Sequence, residues 1–131
     1  MVLDSWAWMA LVMGERAGAE VQRLLSNAAS SSHAVSMTTV NLGEVWYSVA
    51  RRKSPQAADA ALELVAFAGV QVVPADWALA SQAARFKSKH RISYADGFAA
   101  ALAHNLKVEL VTGDLEFREL EGSIKIRWLS R

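Results

Sequence analysis

Four acidic residues stand where their types and spacing could do chemistry. Asp4 closes the run Met-Val-Leu-Asp, Glu44 lies in Thr-Val-Asn-Leu-Gly-Glu-Val, Asp96 in Ser-Tyr-Ala-Asp-Gly, and Asp114 in Leu-Val-Thr-Gly-Asp. Converging carboxylates without counter-charges repel one another, so a cluster of them is stable mainly when a cation occupies it. All-oxygen donors suit Mg²⁺ or Mn²⁺, which keep several waters and share phosphate oxygens with a substrate. Such an ion can activate a water and stabilise the leaving oxygen in phosphodiester hydrolysis. Each acid also has a plainer reading. Asp4 and Asp114 stand where they would cap the helix that follows, and Ser93-x-x-Asp96 spells a capping box. Glu44 falls opposite the apolar stripe of Leu42, Val45, Trp46 and Val49, grouped with Asn41, Ser48 and Arg51 on a face that reads as solvated. Spacing leaves both readings open.

Other chemistries lose ground on spacing. The seven glycines, at 14, 18, 43, 69, 97, 113 and 122, form neither G-x-G-x-x-G nor a G-x-x-x-x-G-K phosphate loop. No G-x-S-x-G elbow presents a nucleophilic serine. His33, His90 and His104 are scattered, without an H-x-x-x-H pair, and read as surface or half-buried polar residues. With no cysteine there is no disulfide framework and no thiolate zinc site.

The elements that must position the four acids follow from periodicity. Met1–Leu3 is a short apolar strand ending at Asp4. Ser5–Met13 reads as a helix punctuated by Gly14, and Glu15–Asn27 as a second, with Ala19, Val21, Leu24 and Leu25 on one stripe. Residues 28–32 read as a loop and His33–Met37 as a strand. Thr38 or Thr39 caps a helix to about Arg52, and Ser54-Pro55 starts another that ends near Gly69. Val70–Val73 reads as a buried strand stopped by Pro74. Asp76 opens a helix to about Lys89, and Ser93 one to about Asn105. Val108–Thr112 is a strand, Asp114–Leu120 a short helical turn and Ile124–Leu129 a last strand. Short apolar strands alternating with helices predict an α/β fold, a parallel sheet of four to five strands flanked by helices on both faces. Ligands of such sheets collect beyond the carboxyl ends of the strands, the rim onto which Asp4 and Asp114 should both project.

Length and composition agree. The 131 residues fit a single domain over 1–131, and 53% hydrophobic residues exclude a disordered chain. No apolar stretch suggests a membrane span, and Asp4 falls where the basic region of a signal peptide should begin, so a soluble cytoplasmic protein is expected. Fourteen Lys and Arg against thirteen Asp and Glu give a net charge of +1. If four acids were gathered at one metal site, nine would remain against fourteen bases, an excess of five positive charges suited to a polyanion.

The order Met-Val-Leu-Asp-Ser (1–5), Thr-Val-Asn-Leu-Gly-Glu-Val (39–45), Ser-Tyr-Ala-Asp-Gly-Phe-Ala-Ala-Ala-Leu-Ala (93–103) and Val-Thr-Gly-Asp-Leu-Glu-Phe (111–117) resembles a PIN domain. More narrowly, it resembles the VapC-type toxins of bacterial toxin–antitoxin pairs, over essentially the whole chain. The resemblance implies an Mg²⁺-dependent endoribonuclease, with Mn²⁺ able to substitute, that cuts tRNA or rRNA through a metal-activated water and inhibits translation. Carried over by position, the acidic set is Asp4, Glu44, Asp96 and Asp114. Asp4 and Asp96 would be the principal metal ligands, and Glu44 and Asp114 would complete the ring. Ser5 and Thr112 match small hydroxyl positions that support the site, and Glu116 is a candidate outer acid. The implied partners are RNA, a VapB-type antitoxin covering the site and a second copy of the chain. Alternatives within the resemblance are a PIN nuclease of RNA processing and a catalytically silent PIN scaffold.

The chain departs from the family pattern in two places. Trp6 and Trp8 follow Ser5 where smaller or aliphatic residues are commoner; two residues apart on a helix, they point to different sides, one to core and one to a contact surface. Gly97 replaces the more frequent alanine after Asp96, in a helix that glycine loosens by ~0.5–1 kcal/mol. Two basic groups, Arg51–Lys53 and Arg85, Lys87, Lys89 and Arg91, are candidates for holding an RNA backbone. The second stands just before the Asp96 helix. Each group also reads as a solvated helix end favoured by the helix dipole.

Overall fold

The computed structural model describes all of residues 1–131. The elements in chain order are β1 (Val2–Leu3), α1 (Ser5–Val12), α2 (Arg16–Ser31), β2 (Ser36–Thr38), α3 (Thr39–Arg52), α4 (Pro55–Phe67), β3 (Gln71–Val73), α5 (Trp77–Lys89), α6 (Tyr94–Leu106), β4 (Leu110–Thr112), a 3-10 helix (Leu115–Leu120) and β5 (Ile126–Trp128). All strand pairs are parallel, in the order β3-β2-β1-β4-β5. The chain winds outward from β1 to β2 and β3, then returns to lay β4 and β5 on the other side. The two windings part between β1 and β4, the switch point where open parallel sheets bind ligands.

Successive strand side chains face opposite ways, which divides the interior into two cores. Leu3, Met37 and Val111 pack with Trp8, Val21, Val45 and Val65 of α1–α4 on one face. Val2 and Leu110 pack with Phe86, Phe98, Leu102 and Phe117 of α5, α6 and the 3-10 helix on the other. Helices therefore cover both faces, as the short apolar strands predict. No helix is long and apolar enough to cross a membrane.

Several expected boundaries shift, for identifiable reasons. Residues 28–31, read as loop, continue α2. The Ser30 and Ser31 hydroxyls donate back to the carbonyls of Ser26 and Asn27, Ala28 is buried, and Ser32 ends the helix at φ 56°. The strand expected over His33–Met37 shortens and shifts to Ser36–Thr38, so that Thr38 both ends the strand and caps α3. Val70 is buried as expected, but Gln71–Val73 form an edge strand with Val72 exposed rather than a covered one. Gly97 is explained by packing. A Cβ there would stand 2.8 Å from the carbonyl oxygen of Ala83, so glycine lets α6 approach α5 backbone to backbone.

Candidate functional site

Four different segments deliver the four acids to one cavity of about 310 Å³ at the carboxyl end of the sheet. Asp4 follows β1 and caps α1, its Oδ1 accepting the Ala7 N–H at 2.8 Å. Asp96 lies in the first turn of α6, where Ser93 Oγ accepts its N–H at 3.0 Å and its own Oδ2 accepts the Ser93 N–H at 3.3 Å. Asp114 follows β4 and caps the 3-10 helix through the Glu116 N–H, 3.0 Å from its Oδ1. Glu44 enters from the flank of α3, half-buried, with the Tyr47 hydroxyl donating to its Oε1 at 3.4 Å. Asp4 and Asp114 are helix N-caps and Asp96 is the third residue of the Ser93 capping box, the plainer reading of the sequence in each case. Capping engages one oxygen of Asp96 and one of Asp114, and the second oxygen of each has no hydrogen-bond donor within the chain. Cap and cavity wall are the same residues.

The buried pair sets the electrostatics. Asp4 is 2% exposed and Asp96 8%. Burial pushes Asp4 up to about 7; the charges of Asp96 and Asp114 raise it further, while the Thr112 hydroxyl and the Ala7 N–H oppose the rise. Burial likewise raises Asp96 to about 6, with Asp114 and Glu44 adding and Ser93 opposing. Glu15 and Glu116 also line the cavity, and its one lysine or arginine is Arg52, 3.9 Å from Glu15. No three acids are drawn close enough to hold an ion by themselves. That openness fits Mg²⁺, which is commonly bound through one or two carboxylates and keeps several waters. Two buried, mutually repelling carboxylates with little counter-charge are the donor set such a cation would relieve.

Thr112 and Ser5 serve different neighbours. Thr112 Oγ1 donates to Asp4 Oδ2 at 2.5 Å and accepts the Asp114 N–H at 2.9 Å, so it touches both flanking acids. Ser5 exchanges hydrogen bonds with Asn41, donating to its carbonyl and accepting from its Nδ2, both at 3.2 Å.

A family model described as PIN domain matches residues 1–123. The chain belongs to the PIN domain family. Solved structures share the fold of this PIN domain. The VapC20 toxin of Mycobacterium tuberculosis, described as cleaving the sarcin-ricin loop, aligns with a TM-score of 0.75 at 24% identity, covering 94% of this chain and 95% of the toxin. VapBC2 of Rickettsia felis, bound to a promoter DNA fragment, gives 0.75 at 13% identity over 98% of each chain. FitAcB of Neisseria gonorrhoeae gives 0.67 at 20% identity over 95% and 94%. No curated protein sequence matches the chain significantly.

One residue of this PIN domain escaped sequence reasoning. Periodicity groups Asn41 with the solvated face of α3, yet it is fully buried. Its Nδ2 donates to Ser5 Oγ and, at 3.1 Å, to the Ala95 carbonyl, while its Oδ1 accepts the Thr38 hydroxyl at 2.6 Å. It thereby ties the segments carrying Asp4, Glu44 and Asp96 to one another. The available signal was its place three residues before Glu44, on the same side of the helix. Of the basic candidates, Arg52 lines the cavity, whereas Arg85, Lys87, Lys89 and Arg91 do not. Lys87 Nζ is engaged by the Ile92 carbonyl at 2.9 Å, an internal role at the end of α5.

Proposed function

We propose that this PIN domain is a divalent-metal-dependent endoribonuclease and the toxin of a toxin–antitoxin pair. The observation that carries the reading is the convergence of Asp4, Glu44, Asp96 and Asp114 on one cavity at the sheet's switch point. Asp4 and Asp96 would hold Mg²⁺ or Mn²⁺, with Glu44 and Asp114 completing the ring. The ion, when bound, supplies Lewis-acid chemistry, activating water and offsetting phosphate charge. The chain's own part is placement. Thr112 fixes the Asp4 carboxylate and the Asp114 backbone, the Ser93 capping box fixes Asp96, and Asn41 holds the three supporting segments together. The substrate proposed is tRNA or rRNA.

A VapB-type antitoxin is the proposed protein partner, and structural neighbours described as VapBC pairs support it. Leu64 and the 89%-exposed Phe67 border an apolar cavity shared with Leu11 and Leu25, surface that an apolar partner segment would cover. A second copy of the chain is the other proposed partner; a monomeric mass throughout the micromolar range would refute it. Cytoplasmic localisation is proposed with the toxin role.

Incubating labelled cellular RNA with purified protein and Mg²⁺ or Mn²⁺ tests the activity. Discrete fragments that disappear with EDTA are expected. Intact RNA with both metals, from folded protein free of any partner, would overturn the reading.

A further inference from the structure

We propose that Trp6 is a nucleobase-binding residue, its indole stacking on a base of single-stranded RNA beside the acidic cavity. This rests on the ribonuclease reading above and narrows it to a base-contacting subsite.

The two tryptophans of α1 divide as their spacing predicts. Trp8 is fully buried, and its indole N–H donates to the Ala61 carbonyl at 3.1 Å. Trp6 is only half-buried and lines the cavity with the acids. Its one apolar companion there is Met9, a turn further along the same face of α1; the remaining lining residues are polar or charged.

The ring is fixed against Gly113, which links β4 to Asp114. A Cβ on Gly113 would collide with Cη2, Cζ3 and Cζ2 of Trp6. Gly113 does not have a positive φ, so the close approach of the indole, not backbone conformation, is what needs glycine here. Arg131 Nε donates to the Gly113 carbonyl at 3.1 Å and holds the same segment. A ring so packed loses little further freedom when a base settles on it.

The donor of Trp6 is also uncommitted. Trp8, Trp46 and Trp128 each give their indole N–H to an acceptor within the chain; Trp6, like the exposed Trp77, gives its own to none. No buried polar side-chain atom is left unpartnered, so the Trp6 N–H reaches solvent.

Electrostatics give the subsite its purpose. The cavity's carboxylates repel RNA phosphates, and its one lysine or arginine, Arg52, lies beside Glu15. Beyond the proposed cation the cavity offers little positive charge to the chain next to the cut, so an uncharged contact adds affinity there. Stacking supplies that, and because every base has a π face it tolerates sequence.

The test compares two fluorescent oligoribonucleotides of equal length, one unstructured with bases and one abasic throughout. Both are titrated into Asp96→Asn protein with Mg²⁺, so that neither is cut. The base-bearing RNA should bind more tightly, and Trp6→Leu should weaken it by about ten- to a hundredfold, leaving the abasic RNA unchanged. Trp6→Phe should fall between. In cleavage by protein that retains Asp96, Trp6→Leu should raise KM more than it lowers kcat. Equal binding of base-bearing RNA by Trp6→Leu and its parent would overturn the inference, as would equal weakening of both RNAs, which marks a structural role. If Trp6→Leu fails to fold, Trp6→Phe decides by the same comparison. Failure of the ribonuclease reading shows separately, as absence of cleavage by the unsubstituted protein; a nuclease that cuts RNA and is indifferent to Trp6 overturns only this inference.

Discussion

Thr112 bridges the two acids that follow the central strands: its hydroxyl donates to Asp4 Oδ2 at 2.5 Å and accepts the Asp114 N–H at 2.9 Å. The register of β1 and β4, Leu3 opposite Val111, makes this possible by bringing Asp4 level with Thr112 one residue later. One hydroxyl thus fixes a carboxylate and the backbone of the neighbouring acid, in a site where Thr112 itself is fully buried.

Replacing that hydroxyl with a methyl group, in Thr112→Val, leaves the buried Asp4 carboxylate and the part-buried Asp114 N–H without it. Stability should fall by about 1–3 kcal/mol in urea titration. Because the Thr112 bond opposes the rise of Asp4, its loss should move Asp4 higher and shift the acid limb of the pH–rate profile to higher pH. Thr112→Ser should retain most of both. An unshifted profile in Thr112→Val would dismiss the role.

The raised carboxylates make a signed prediction for the cation-free protein. Asp4 stands at about 7 and Asp96 at about 6, against 3.8 for an ordinary aspartate. Through that window the folded chain retains protons that the unfolded chain has released, so stability falls as pH rises from about 4 to 7. Asp4→Asn keeps a good helix cap and removes one charge. It should melt higher than wild type at pH 8 in EDTA, by about 2–8 °C for each kcal/mol recovered. Mg²⁺ should raise the Tm of wild type more than that of Asp4→Asn, since an ion at a hundred times its Kd contributes about 2.7 kcal/mol. Thermal scans across pH, with and without Mg²⁺, check both signs.

Asn41→Leu keeps the volume and removes three hydrogen bonds that join α3 to α1, α6 and β2. It should destabilise the chain by about 2–4 kcal/mol, in line with breaking a buried polar network. Nuclease activity should drop even at temperatures where the variant remains folded. Circular dichroism and cleavage measured together separate the two effects.

Gly97→Ala should destabilise despite the better helix propensity of alanine. The added Cβ meets the Ala83 carbonyl at 2.8 Å, and overpacking of that kind costs about 1–3 kcal/mol against a propensity gain of about 1. A stability equal to or above wild type in urea would show that α5 and α6 can part without loss.

Much of the fold was legible because its signals are local. Ser54-Pro55, Asp76 and Ser93 announce helix starts, and each cap appears where the sequence puts it. The apolar strands at Val2–Leu3 and Leu110–Thr112 announce a covered parallel sheet. What was hidden depends on tertiary neighbours. Val72 carries no mark of lying on a sheet edge, and the serines ending α2 look like loop until their hydroxyls turn back onto the helix. At the site, Asp4, Asp96 and Asp114 can be read as capping residues or as a cluster because two are N-caps, the third closes a capping box, and all three carboxylates also line the cavity. Helical periodicity puts Asn41 and Glu44 on one polar face, but Asn41 is buried against α1 and α6 and Glu44 lines the cavity.

The most direct measurement is the initial rate of cleavage of one mapped RNA target by wild type, Asp4→Asn and Asp96→Asn, with Mg²⁺ and with EDTA. Asparagine keeps the N-cap at position 4, and at position 96 it leaves the Ser93 N-cap in place and retains an oxygen for the Ser93 N–H, so loss of rate reports on the site rather than on folding. The account predicts metal-dependent cleavage by wild type and a loss of at least about a hundredfold in each variant, comparable to removing a single electrostatic group from an active site. Cleavage that survives EDTA, or that proceeds at wild-type rate in Asp4→Asn and Asp96→Asn, would contradict it.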